Sequence, residues 1–412
     1  MRIGVNASIV GENPTGLGLY SVKLIRELDK IRDDLLVYTS FPEALGPLRA
    51  RIARVPAATR PEHSVLGHFM RLLWLQGALR VGARINRLGM ILNTVPEGIL
   101  RSPVPQVTVV HDLLPLIYPP EYPRQQYYFR FLVPRILQES RIVVADSDST
   151  RRDIIQNYGL PAKKVRVIHP GCDSSVYFRN GLDPSPGRHQ DPHLLYVGNL
   201  LPHKNLLRLL DALAILRRRR PCRLILRGEG RPAYVRALHE RVETLGLGGA
   251  VTFLGYTTES TLRQLYNGAA CFILPSLGEG FGLPVLEAMA CGTPVVMSST
   301  SSLPEVAGDA AIQVDPHDAV GLADGIYRVL TDRELGEDLR RRGFERAAGL
   351  SWRRTAEQMS RLLDEMAGSH DGVAPRRFPK KNLSFPRPYA SIMFACRGLV
   401  PRFAHMVQEG LT

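Results

Sequence analysis

Short apolar strands alternate with helical patterns along most of this chain, and that alternation restricts the fold more than any other feature. The strand-like runs are RIGVNAS, LLVYTS, QVTVVHD, RIVVADS, KVRVIHP, HLLYVGN, CRLILRG, AVTFLGY, AACFILPS and TPVVMSS. Helical patterns lie between most of them, for example over 204–219 and 232–245. Such alternation builds parallel sheets from βαβ units. Ten strands crowd one doubly wound sheet, and 412 residues exceed one compact core, so two domains are expected. The polar, turn-rich stretch RNGLDPSPGRHQDPH places a linker at 179–193. The expected architecture is α/β: two Rossmann-like doubly wound domains, 1–178 and 194–350, facing each other across a cleft. Residues 351–369 are read as a final helix packing back toward the first domain, and 370–412 as a basic, Pro-rich tail.

Charge is unevenly placed. The chain carries a net +14, and two segments hold almost all of it. Residues 49–101 set nine arginines against Glu62 and Glu97, a local +7. From His370 onward seven Lys or Arg face Asp371 and Glu409, a local +5. The first segment also carries Leu66, Phe69, Met70, Leu72, Leu73, Trp74, Leu75 and Leu79. That mixture suits an anionic membrane surface and equally suits a core helix with a solvated face; both readings stay open. Nucleic-acid binding lacks support, because no basic helix has interleaved aromatics and no cysteines have zinc spacing. The five cysteines are scattered; Cys172, Cys222, Cys271 and Cys291 read as buried free thiols of a reducing cytosol. No apolar run reaches eighteen residues, and the N-terminal MRIGVNASIV reads as a strand, with no secretion signal.

The densest chemistry lies in SLGEGFGLPVLEAMACGTPVV, residues 276–296. A buried strand precedes it. Pro284 suits a first helical turn, and Gly292 with Pro294 stops the helix. Glu279 then sits in the loop at the carboxyl edge of a parallel strand, and Glu287 near the start of the helix. Ligands of open α/β sheets bind at that edge. Gly278, Gly280 and Gly282 let backbone N–H groups approach a ligand, and the helix start favours phosphate. The plain alternative is a helix-favouring Glu287 and a solvated Glu279. In YVGNLLPHKN, Gly198 ends a strand and Lys204 offers a point charge for a diphosphate at a helix start; LILRGEG adds Arg227 and another glycine loop.

First-domain signals are weaker. Gly16 and Gly18 give half a dinucleotide fingerprint, but the acid expected after the second strand is missing, which argues against a nicotinamide enzyme. His111 and Asp112 end a strand at a carboxyl edge, and His111 is read as structural or as contacting substrate. ADSDSTRRD contains Asp146-Ser-Asp148, a metal-type DxD pattern, but Thr150 and Asp153 have capping-box spacing, the preferred reading.

Together these pieces resemble the retaining nucleotide-sugar glycosyltransferases of family 4, with GT-B architecture, over roughly residues 1–366. The most specific match is EGFGLPVLE, which resembles the family's E-x7-E signature. YVGNLLPHKN, LILRGEG, VTFLGY, ADSDSTRRDI, VIHPGCD and LSWRRTAEQM support it. The resemblance implies that Glu279 contacts the sugar hydroxyls, Lys204 neutralises the diphosphate and His111 lies near the transferred sugar. Glu287 would bind the ribose. Gly280, Phe281, Gly282 and Leu283 would lie beside sugar and phosphates, with Gly198, Asn199, His203, Arg227, Gly228 and Tyr256 lining the rest of the donor site. Gly16 would begin the loop where donor and acceptor meet. Family members usually carry an arginine where Asn199 or His203 stands here, which leaves His203 and Arg227 as alternative substitutes.

No cofactor or obligatory divalent metal is expected. The run RLLWLQGALRVGARINRLGMILNTVPEG…VTVVHDLLPLIYPPEYP is similar to mannosyltransferases of bacterial surface polysaccharide assembly. It implies GDP-mannose as donor, a lipid-linked glycan as acceptor, and a cytoplasmic protein peripheral to the inner membrane face. Competing readings are a nucleotide-sugar epimerase of the same plan and a non-catalytic membrane-associated relative.

Overall fold

The computed structural model describes residues 1–14, 16–180 and 192–368. Most of the expected linker, 181–191, and the tail expected at 370–412 lie outside the described residues. The first sheet contains β1 (Arg2–Asn6), β2 (Leu35–Thr39), β3 (Arg51–Arg54), β4 (Leu88–Asn93), β5 (Gln106–Val110), β6 (Ile142–Ala145) and β7 (Val165–Val167). Its order is β3-β2-β1-β4-β5-β6-β7. The second contains β8 (His193–Val197), β9 (Arg223–Arg227), β10 (Val251–Leu254), β11 (Cys271–Leu274), β12 (Val295–Ser298) and β13 (Ile312–Val314), in the order β10-β9-β8-β11-β12-β13. Neighbouring strands pair in parallel, for example Ile3 with Leu35 and Leu194 with Leu224. Both orders reverse direction once, between β1 and β4 and between β8 and β11. A doubly wound sheet opens a crevice beyond the strand ends at such a reversal.

Ten strands fall where their apolar runs predict, and three more complete the sheets. β13 is three residues long, and β3 is the charged edge strand RIAR. β4 is central, pairing with both β1 and β5, yet it lies inside the segment read above as basic and amphipathic. The apolar run LGMILN alone does not distinguish a buried strand from a helix face. That segment is therefore several elements: β3, a helix Ser64–Trp74, a π-turn Leu75–Leu79, a helix Arg80–Ile85 and β4. Trp74, Leu75 and Leu79 are buried in the core, while Leu66 is 62% exposed. Arg71 is also buried, with Nε 2.9 Å and Nη2 3.1 Å from the two Glu97 carboxylate oxygens. Burial pushes the Glu97 carboxyl up, but Arg71 and His68 outweigh it and hold the group at about 2.

The last described helix, Trp352–Gly368, leaves the second domain and packs on the first. Trp352, Ala356, Met359 and Leu363 share one core with Ile3, Tyr20, Leu24 and Leu28. The Thr355 hydroxyl donates to the His169 carbonyl at 2.8 Å, and Arg32 reaches Asp364 at 2.8 Å. No helix among the described residues is long and apolar enough to cross a membrane. Leu363 is fully buried in the first-domain core. Leu363→Ala is expected to destabilise that domain by about 2–5 kcal/mol, read from urea denaturation of the full chain.

Candidate active site

The second domain supplies a loop and a turn. After β11, residues 275–282 lead to the helix Leu283–Ala290, which starts at Gly282 with φ 106°. A positive φ of that size is costly for any residue with a Cβ, so glycine belongs there. The loop is held by hydroxyls. Ser301 Oγ accepts from the Glu279 N–H at 3.0 Å and donates to its carbonyl at 2.6 Å. Ser302 Oγ reaches the Glu279 and Phe281 carbonyls at 3.0 and 2.8 Å.

Lys204 lies not on the helix read over 204–219 but at the end of a short 3-10 turn, Pro202–Lys204. The helix itself spans Leu206–Arg217 and follows Asn205, which is left-handed. Lys204 Nζ meets both Glu279 carboxylate oxygens, at 2.7 and 2.8 Å, and Ser276 Oγ donates to the first at 2.6 Å. The two side chains are 14% and 11% exposed. Two residues assigned separate contacts on a donor therefore hold each other.

The first domain closes against this loop. Gly280 presents its carbonyl to Ser147 Oγ at 2.7 Å and Thr150 Oγ1 at 3.1 Å. A Cβ at 280 would lie 2.2 Å from the His111 carbonyl oxygen. The glycine that was expected to admit a ligand here admits the facing domain. Leu283 packs against both cores. Glu305, from the second domain, accepts the Asp148 N–H at 2.8 Å and lies 2.7 Å from His169 Nε2. Burial raises the Glu305 carboxyl, but the His169 contact and these backbone donors leave it below its ordinary value.

His111 is buried, and both of its ring nitrogens are taken. Nδ1 is 2.6 Å from Asp146 Oδ2, and Nε2 is 2.9 Å from the Thr94 carbonyl. With Asp146 ionised both neighbours accept, so both nitrogens carry protons. Burial alone would lower this pKa; the Asp146 charge and hydrogen bond outweigh it and raise it above 6.5. The Asp146-Ser-Asp148 pattern is thus split. Asp146 serves His111, while Asp148 opens the helix Asp148–Tyr158, capped by Ser147 Oγ accepting from Thr150 N. Capping is correct in kind, but the cap is Ser147, three residues before the expected Thr150. Among the described residues no group of three His, Cys, Asp or Glu is arranged to hold a metal.

His203 turns toward the first domain. Its ring is 1% exposed, with Nδ1 2.6 Å from Glu121 Oε2. Burial, then the neighbouring Lys204 charge, push its pKa below the ordinary 6.5, so a neutral ring stands where the family places an arginine. Arg227, at the end of β9, donates to Thr257 Oγ1 at 3.2 Å and lies 5.0 Å from the Tyr256 ring. Gly198 and Gly228 abut each other beside it, Tyr256 and Asn199 are exposed, and Gly16 opens the helix Leu17–Ile31 at the rim. Glu287 accepts from the Tyr266 hydroxyl at 2.8 Å. Burial pushes its carboxyl up to about 7, against the pull of Tyr266, Tyr177 and Arg227.

The structure adds residues to which the sequence assigned no role. Asp112 flanks Gly280, its carboxyl pushed above the usual range by burial. Tyr118 stacks on His203 at 5.2 Å, and Glu121 binds the same residue. Their sequence, YPPEYP, carries no local sign of this contact, because the partner of Glu121 lies 82 residues away.

Comparison with known proteins agrees with this layout. Residues 14–176 match the family described as Glycosyltransferase Family 4, and residues 182–346 match Glycosyl transferases group 1. The chain is 31% identical to O-antigen chain mannosyltransferase B of Escherichia coli, over 84% of this chain and 94% of that one. It is 29% identical to O-antigen chain mannosyltransferase RfbU of Salmonella typhimurium, over 76% and 87%. In fold it is similar to Anabaena HepE, solved with UDP and glucose, with a TM-score of 0.70, 22% identity and coverage of 88% and 99%.

Glu287 generates a pH dependence. Its folded pKa of about 7 lies above the ordinary 4.5, so folding favours the protonated form. Stability from this group is full below about pH 4.5 and is lost as pH rises through about 7. Thermal unfolding from pH 5 to 8 is expected to show a downward slope in wild type that Glu287→Gln reduces.

Proposed function

The chain belongs to the family-4 glycosyltransferases of GT-B architecture, and from that premise we propose that it moves mannose from GDP-mannose, with retention, onto a lipid-linked glycan of a cell-surface polysaccharide. The observation that carries this reading is the Lys204–Glu279 pair beside the start of the helix Leu283–Ala290, at the carboxyl edge of the second sheet. The similarity to O-antigen mannosyltransferases supports mannose and the polysaccharide acceptor.

Breaking the anomeric bond puts positive charge on the sugar and negative charge on the leaving diphosphate. Lys204 and the N–H groups at the helix start meet the second charge in this reading; preorganised donors of this kind lower a barrier most. In this reading the diphosphate takes Lys204 from Glu279, and the freed carboxylate accepts from the sugar hydroxyls. Glu287 accepts from the ribose, and Arg227 supplies the further positive charge that a neutral His203 does not. His111 lines the sugar pocket as a ring fixed by Asp146 and Thr94. The acceptor hydroxyl attacks from the face the diphosphate leaves and gives its proton to the departing phosphate oxygen, which preserves the anomeric configuration. No divalent metal is assigned a step.

Membrane attachment is part of the proposal. Leu66, Val65 and Ile85 are exposed among the arginines of 49–101, and the chain is proposed to sit on the inner membrane face through that surface. Co-sedimentation with anionic vesicles is expected, weakening as salt rises and absent with neutral lipid; binding indifferent to both would remove this part.

The central test is a donor screen of the purified chain with GDP-, UDP- and dTDP-sugars, followed by transfer to a lipid-linked glycan. GDP-mannose is expected to give the largest thermal shift and to be consumed only when acceptor is present; isomerised donor without acceptor would indicate an epimerase instead. Lys204→Ala and Glu279→Gln are each expected to cut kcat at least about 100-fold. They should differ in GDP binding. Lys204→Ala weakens it, whereas Glu279→Gln, which frees the ammonium, leaves it unchanged or tighter. Near-wild-type turnover in either variant would sink the assignment.

A further inference from the structure

We propose that Glu121, a first-domain residue, is a positioning residue for transfer: when the domains meet, its carboxylate fixes the His203 turn and thereby places the Lys204 ammonium. The proposal rests on the reading that Lys204 meets the leaving diphosphate.

Glu121 is buried, and both of its oxygens serve one residue of the other domain. Oε1 accepts from the His203 backbone N–H at 3.0 Å, and Oε2 lies 2.6 Å from its Nδ1. With Glu121 ionised, Nδ1 donates, and the ring is neutral with Nε2 unprotonated. Around this contact the second domain grips the short turn Pro119–Glu121 again. Arg231 donates to the carbonyls of Pro120, at 3.3 Å, and of Glu121. Tyr118 lies over the imidazole with a 23° interplanar angle.

His203 in turn carries the catalytic neighbourhood. Its carbonyl accepts from the Leu277 N–H at 2.8 Å, inside the loop that holds Glu279. Asn205 Nδ2 reaches the Pro275 carbonyl at 3.1 Å. The residue between them is Lys204. The turn is thus clamped on one side by its own domain and on the other, among the described residues, by the two hydrogen bonds of Glu121 beside the stacked Tyr118 ring. A carboxylate is the side chain that can accept both His203 donors at once. When the domains part, Glu121 returns to water and the second clamp is gone. A cation that is close but loosely aimed gives up much of its value to the transition state.

A role in transfer is separated from a role in folding by kinetics. Steady-state kcat and donor KM are compared for wild type, Glu121→Ala, Glu121→Gln, His203→Ala and the double variant Glu121→Ala/His203→Ala, with GDP Kd by calorimetry. Expected is a kcat loss of about 10- to 100-fold in Glu121→Ala. His203→Ala and the double variant should lose about the same factor, because the pair acts as one unit, while GDP Kd stays within about threefold. Glu121→Gln, whose amide oxygen keeps one of the two bonds, should recover part of the rate. A Glu121→Ala kcat within about twofold of wild type, losses that multiply in the double variant, or GDP affinity falling as far as kcat, would each overturn the proposal. If the wild-type chain transfers no sugar, the donor reading fails, and the latch is judged by amide hydrogen exchange alone. Faster exchange of 118–122 and 200–206 together in Glu121→Ala upholds it; unchanged exchange overturns it.

Discussion

The ion pair between Lys204 and Glu279 is the contact on which the rest of the site depends. It joins the turn after β8 to the loop after β11, the two strands that flank the reversal point of the second sheet. Both partners are largely shielded from water. Removing one would leave the other desolvated and unpaired, which costs far more than the pair itself contributes. A ligand can separate them only by supplying an anion for the ammonium and hydroxyl donors for the carboxylate. A sugar attached to a diphosphate carries both, in adjacent positions. The pair is in that sense a mould of the proposed donor.

The domains meet through a few polar contacts around that pair. Gly280 lies against the His111 carbonyl, Glu305 caps the helix that opens with Asp148, and Glu121 binds His203. These contacts involve backbone groups and carboxylates that water satisfies equally well when the domains separate. Contacts of this kind suit the reversible closure that the proposed cycle of donor binding and nucleotide release requires. The permanent connection lies elsewhere, where the helix Trp352–Gly368 buries its apolar face in the first-domain core.

Much of this was legible from local patterns. Ten strands show as short apolar runs bounded by turn residues, and the helix start at Leu283 is marked by Gly282 and Pro284. The failures have physical causes. β4 is buried on both faces, so its continuous apolar run carries no period of two. β3 and β13 are edge strands too short or too charged to stand out. His203 stands where family members usually carry an arginine beside the lysine, and local spacing leaves it and Arg227 as alternative substitutes for that arginine. In space the His203 and Lys204 side chains diverge, one toward Glu121 and one toward Glu279.

Sequence alone determined the two-domain α/β plan, the loop carrying Glu279 and the helix carrying Glu287, because these follow from periodicity and from the backbone limits of glycine and proline. Tertiary structure decided which groups face one another: Lys204 with Glu279 across 75 residues, His111 with Asp146 across 35, and Glu121 with His203 across 82. It also decided their charge states, since the neutral His203 and the Glu287 carboxyl near 7 follow from burial. The reason is one and the same. Strand order and domain closure set the distances between remote residues and the water left around them, and neither quantity is written in local spacing.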